Sequence, residues 1–227
     1  MRTMIVLALD CSASLCAACV YDAGGGIELG REVRDLGKGH AEHLMAVIDA
    51  ALGKAGKTFA GLDAIAVSVG PGSFTGVRVG VSTARGLALA LKIPAIGVTT
   101  LEALAAEAAD GFPGRAVLAA LDGGRGEIHA GLYDKHLKPL FGPAATSLEE
   151  AARLARQADA VLAGTVAEAV AALGGSAEIG PVKATADIAV YARLAAGKGA
   201  GERPRPVYLR DADAKPQAGF VLPRTGS

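Results

Sequence analysis

Asp10 and Ser12 fall between two apolar runs, Met4 to Leu9 and Leu15 to Tyr21. An acidic group and a small hydroxyl at the first hairpin turn are what an ATP-hydrolysing α/β protein sets beside metal and phosphate, although Asp and Ser are also ordinary turn residues. Turnover needs more: a second phosphate hairpin, a glycine segment for adenosine, and acidic metal ligands. The stretch from Ala116 to Tyr133 offers only Asp122 and the glycines Gly123, Gly124 and Gly126. The reading is therefore a vestigial contact through Asp10, Ser12, Gly70 and Gly72, weak for ADP or ATP, with no cofactor required. A stand-alone ATPase or small-molecule kinase is the alternative, and phosphate release by the isolated chain discriminates the two.

The loop Gly70-Pro71-Gly72-Ser73-Phe74-Thr75-Gly76 has the glycines that let backbone amides approach an anion. It lacks the Lys-Ser/Thr pair that closes a Walker loop, and Pro71 removes one amide donor. A shaped strand-to-helix turn, with Ser73 or Thr75 capping the helix, fits better. Within that helix Gly76, Gly80, Ala84 and Ala88 recur every four residues and form a narrow ridge without bulk. A glycine inside a helix costs about 1 kcal/mol relative to alanine, so close packing against a neighbour is expected. The spacing leaves open whether that neighbour belongs to the same chain.

Cys11, Cys16 and Cys19 have C-x4-C-x2-C spacing, but no fourth cysteine follows for an iron–sulfur cluster. On a strand Cys16 and Cys19 point to opposite faces, so the three read as buried small hydrophobes. His40 and His43 begin a helix, and His129 and His136 are far away in sequence, so no metal site is expected. No serine or cysteine stands with a convincing histidine and acid for nucleophilic catalysis.

These residues need elements to hold them. Three apolar runs, Met4 to Leu9, Leu15 to Tyr21 and Ile27 to Arg34, read as antiparallel strands. Helix His40 to Leu52, strand Leu62 to Val69, helix Thr75 to Leu91, strand Ala95 to Val98 and helix Leu101 to Ala109 follow. That order is an α/β layer with a mixed sheet, the actin-like (ribonuclease-H-like) half-domain, which usually comes in pairs. After Gly111 to Gly114 the pattern restarts with strands Ala116 to Asp122 and Ile128 to Tyr133, helix Ser147 to Gln157, strand Ala160 to Ala163, and helices Val166 to Leu173 and Ile188 to Ala196. The expected division is residues 1–109, a reduced second half at 110–215, and a mobile tail at 216–227.

Lys plus Arg and Asp plus Glu both total 23, so there is no basic excess to provide the phosphate-driven affinity of a nucleic-acid binder. Asp10 interrupts an otherwise signal-like N-terminus, and no apolar run reaches the ~18 residues of a membrane span, so a soluble cytoplasmic chain is expected.

Taken together, LALD-CSAS, GHAEHL, VSVGPGSFTGVRVGVSTARGLALAL, IPAIGVTTLEALA, LAALDGGRGEIHAGLYD and RPVYLRDADA resemble the TsaB family. This is the dimerization subunit of the bacterial machinery that makes threonylcarbamoyladenosine in tRNA next to the anticodon. The resemblance implies an actin-like fold with a reduced second half and no catalytic centre of its own. It implies TsaD, the threonylcarbamoyltransferase, as partner, the ATPase TsaE as a further partner, and a homodimer through the same surface when TsaD is absent. Carried over by motif, the interface lies on His40, Leu44, Val47, Ile48 and Ala51 of the first helix and on Phe74, Gly76, Val77, Gly80, Val81, Ala84 and Ala88 of the second. The chain departs from the family at Asp122 to Glu127, which commonly reads Asp-Ala-Arg-Arg/Met-Gly-Glu, and at His129, where tyrosine is usual.

Overall fold

A continuous apolar run leaves no wet face, so a strand built from one has to be covered on both sides. β1, Ile5–Asp10, is in that position in the computed structural model, which describes residues 4–174, 177–199 and 201–209. It sits inside a five-stranded sheet of order β3-β2-β1-β4-β5. β2 (Leu15–Asp22) runs antiparallel to β1 and to β3 (Ile27–Asp35), while β4 (Ala64–Ser68) is parallel to β1 and to β5 (Ala95–Val98). The second sheet repeats this plan in the order β8-β7-β6-β9, with β6 Val117–Gly124, β7 Glu127–Tyr133, β8 Pro139–Thr146 and β9 Val161–Ala163. Its counterpart of β5 shrinks to one parallel bridge, Leu162 to Ile179. The fold is actin-like, with the second half reduced.

Three apolar layers follow from the two-residue period of the strands. Ile5, Leu7, Leu9, Cys16, Ala18 and Val20 face outward, under α1 (His40–Lys54) and α2 (Phe74–Leu91). Val6, Ala8, Ala17, Cys19, Ala64 and Ala66 face inward, toward α3 (Thr100–Gly111) and α6 (Ile188–Lys198). The outer side of the second sheet carries α4 (Leu148–Gln157) and α5 (Ala167–Gly174). Ser73, Thr99, Ser147 and Asp187 cap α2, α3, α4 and α6, each accepting a first-turn N–H, which settles the α2 cap on Ser73.

Three expectations change. β8 is a strand where none was read. Pro139 and Pro143 masked it, and they are tolerated because β8 is an edge strand with an irregular register. The division at 109/110 is not how the chain packs: α3 leans on β6, β7 and β9 of the second sheet, and α6 returns to β1, β2, β4 and β5 of the first. The proposed tail, 216–227, lies outside the described residues.

The third correction concerns the interface. His40, Leu44, Val47, Ile48 and Ala51 of α1 and Gly76, Val77, Gly80, Val81, Ala84 and Ala88 of α2 are all buried within this chain; of the twelve positions only Phe74 is exposed. The small ridge brings α2 onto its own sheet. A Cβ on Gly76 would strike the Cys11 carbonyl, and one on Gly80 would lie 3.5 Å from Val67 Cγ2. Gly76→Ala should therefore cost about 1–3 kcal/mol in urea denaturation, and Ala84→Arg should fail to fold, as read by far-UV circular dichroism.

Candidate functional site

The C-terminal end of β1 is where both halves of the chain meet. Asp10 is 1% exposed, and its carboxylate accepts the Ser12 N–H at 2.8 Å and the Thr185 hydroxyl at 2.6 Å. Thr185 Oγ1 lies 2.7 Å from the hydroxyl of Tyr191 on α6, and Ser68 at the end of β4 shares a 3.2 Å hydrogen bond with Thr100 of α3. Burial, and then the charge of Asp10, push the Tyr191 phenol well above its ordinary value, against hydrogen bonds from Thr185, Ser68 and Thr100 that pull it down. Hydroxyls thus partner a buried carboxylate that would otherwise be costly.

The four positions read as a nucleotide contact take structural roles. Asp10, Ser12 and Gly70 are buried and only Gly72 is exposed. Ser73 N–H donates to the Ser12 carbonyl at 2.7 Å, Thr100 N–H donates to the Gly70 carbonyl at 2.9 Å, and Gly72 abuts Ser12. His40 points into the core and His43 outward, so the pair does not converge. Among the described residues no three His, Cys, Asp or Glu side chains are grouped to hold a metal ion. The second hairpin turns at Arg125 and Gly126, both with positive φ, and Thr165 accepts the Asp122 N–H.

The other distinctive surface is the outer side of α1 and α2. Met45 is 44% exposed, Phe74 59% and Leu89 76%. The Arg78 guanidinium lies 3.6 Å from the Phe74 ring centre, and its Nε donates to the Tyr208 hydroxyl at 2.7 Å. Tyr208 arrives on an extended segment held by its neighbour, Val207 N–H to Val69 carbonyl, 2.8 Å, and by Pro204 packed on Gly97. Arg78 and Tyr208 went unread because neither spacing nor periodicity joins residues 130 positions apart; the same holds for Thr185 and Tyr191 against Asp10.

The model of the family described as "TsaD: tRNA N6-adenosine threonylcarbamoyltransferase" matches residues 34–189. The chain belongs to this family. Its resemblance to TsaB, read from the motifs, also holds. It is 32% identical over 132 residues to the tRNA threonylcarbamoyladenosine biosynthesis protein TsaB of Escherichia coli, covering 58% of this chain and 56% of that one. It is 33% identical over 129 residues to the TsaB of Haemophilus influenzae, covering 57% and 53%. The match thus spans a little over half the length of these relatives. The solved structure of YeaZ from Pseudomonas aeruginosa superposes with a TM-score of 0.72 at 29% identity, over 91% of this chain and all of that one. No helix among the described residues is long and apolar enough to cross a membrane.

Thr185→Val removes the hydroxyl on Asp10 at nearly constant shape. It should cost about 1–3 kcal/mol in urea denaturation, with Thr185→Ser costing clearly less; equal stability of the valine variant and wild type would show that the network contributes nothing.

Proposed function

We propose that this chain serves tRNA threonylcarbamoyladenosine biosynthesis as a non-catalytic subunit that binds and stabilises TsaD through the outer face of α1 and α2. The carrying observation is the exposed set of Met45 on α1, Phe74, Arg78 and Leu89 on α2, and Tyr208 on the returning C-terminal segment. Methionine, aromatic residues and arginine are the types enriched at protein interfaces, and an arginine pre-stacked on an aromatic ring loses little freedom on binding. The earlier assignment to the buried ridge gives way to the opposite side of the same helices. The buried residues hold this face in shape, and the exposed ones touch the partner.

A supporting role also fits Asp10, whose two carboxylate oxygens are taken by Ser12 and Thr185. In this reading TsaE joins the larger complex, tRNA is met through TsaD, and a second copy of the chain occupies the same face when TsaD is absent. Any nucleotide contact at Ser12 and Gly72 is weak and needs the partner in place.

Mixing the purified chain with its cognate TsaD should give a complex by light scattering. Phe74→Glu and Leu89→Glu should each weaken it about tenfold or more, with an unchanged thermal melt, because both side chains are exposed. Absence of any complex with the wild-type chain would overturn the reading. So would substantial phosphate release from ATP by the isolated chain that Asp10→Ala abolishes.

A further inference from the structure

The β1–β2 turn carries a pair of thiols that the assembly role does not use. Cys11 directly follows β1 and Cys16 is the second residue of β2, with four residues between them across the turn. Their sulfurs are 4.0 Å from each other. The register Leu9 to Ala18 and Asp10 to Ala17 places Cys11 opposite Cys16 at the next step. Directly opposed residues on antiparallel strands have Cα atoms about 4.5–5.5 Å apart, within the range that a disulfide spans. Both side chains lie on the outer face of the sheet, in the layer beneath α1 and α2, whereas Cys19 lies on the inner face among α6 and the second sheet.

We propose that Cys11 and Cys16 are a redox-modification site that closes to a reversible intrachain disulfide. The oxidant is hydrogen peroxide. The Cys16 thiolate attacks the O–O bond, giving a sulfenic acid and releasing water once the leaving oxygen takes a proton; the Cys11 sulfur then displaces the second oxygen, also released as water. Two thiols lose two protons and two electrons, and the peroxide takes up both.

The surroundings favour Cys16 as the attacking group. The hydrogen bond shared with Cys11 lowers the Cys16 pKa despite burial, and Arg34, its register partner on β3, lowers it further. The same hydrogen bond, and then burial, raise Cys11. Cys19 is raised by burial first. Both members of the pair are shielded in the closed fold, and access comes from opening of the four-residue turn between them, whose Ser14 is already exposed. Bond formation brings the sulfurs from 4.0 Å to about 2.05 Å. The Cys11 carbonyl is the surface on which Gly76 rests, and the Ser12 carbonyl holds Ser73, so the contraction falls at the first turn of α2.

The test uses the full chain, reduced and then treated with hydrogen peroxide, denatured, alkylated and weighed intact. All three cysteines fall between Arg2 and Arg31, in one tryptic peptide, so variants rather than peptide mapping assign the bond. Wild type should lose two hydrogens and keep one alkylatable thiol, with all three restored by dithiothreitol. Cys19→Ala should form the bond as wild type does and keep no alkylatable thiol. Cys11→Ser and Cys16→Ser should each fail to form it. Three alkylatable thiols in treated wild type, or the two-hydrogen loss persisting in Cys11→Ser, would overturn the proposal.

Discussion

The absence of side chains at Gly72 and Gly76 lets the start of α2 rest directly on the Cys11 and Ser12 carbonyls at the tip of β1, and much else depends on that contact. Any Cβ at either position would overlap backbone, which cannot rotate away. The contact fixes where Phe74 and Arg78 emerge, and these in turn meet Tyr208 on the returning C-terminal segment. One steric condition at two residues therefore orients a surface built from positions far apart in sequence. It also leaves Ser12 N–H free to bond Asp10, which draws the hydroxyls of Thr185 and Tyr191 into the junction between the halves.

Much of the fold was legible in the sequence because its strongest signals are local. The apolar runs at 4–9, 15–21 and 62–69, the helical stripe from His40 to Leu52, and the Ser147-x-x-Glu150 start all became the elements their periods implied. The four-residue ridge on α2 was equally legible as a site of close packing. Its direction was not, because a helix of small residues reads the same whether it approaches its own sheet or another protein. Resemblance to TsaB pointed to α1 and α2 without distinguishing their two faces; the burial of His40, Leu44, Val47, Gly80 and Ala84 shows which face of each is turned to the sheet.

What stayed hidden is long-range or edge-like. Thr185 stands 175 residues from Asp10 and belongs to no motif of its own. β8 contains two prolines and a glycine that argue against a strand anywhere except at a sheet edge, where ladder bonds on one side are not needed. The small inward residues Ala8, Ala17, Ala64 and Ala66 read as generic alanine richness, yet they are what allows α6 to lie close to the first sheet.

The crossing of α3 and α6 between the two sheets also bears on synthesis at the ribosome. The first sheet is complete once β5 has been made, yet its inner face waits for α6, roughly 90 residues later in the chain. At about 5–20 residues per second, that face stays uncovered for some 5–20 seconds of translation. During this interval the inner alanines and Val6 present only a shallow apolar surface, which limits the opportunity for the nascent half to associate with other chains before its own helix arrives.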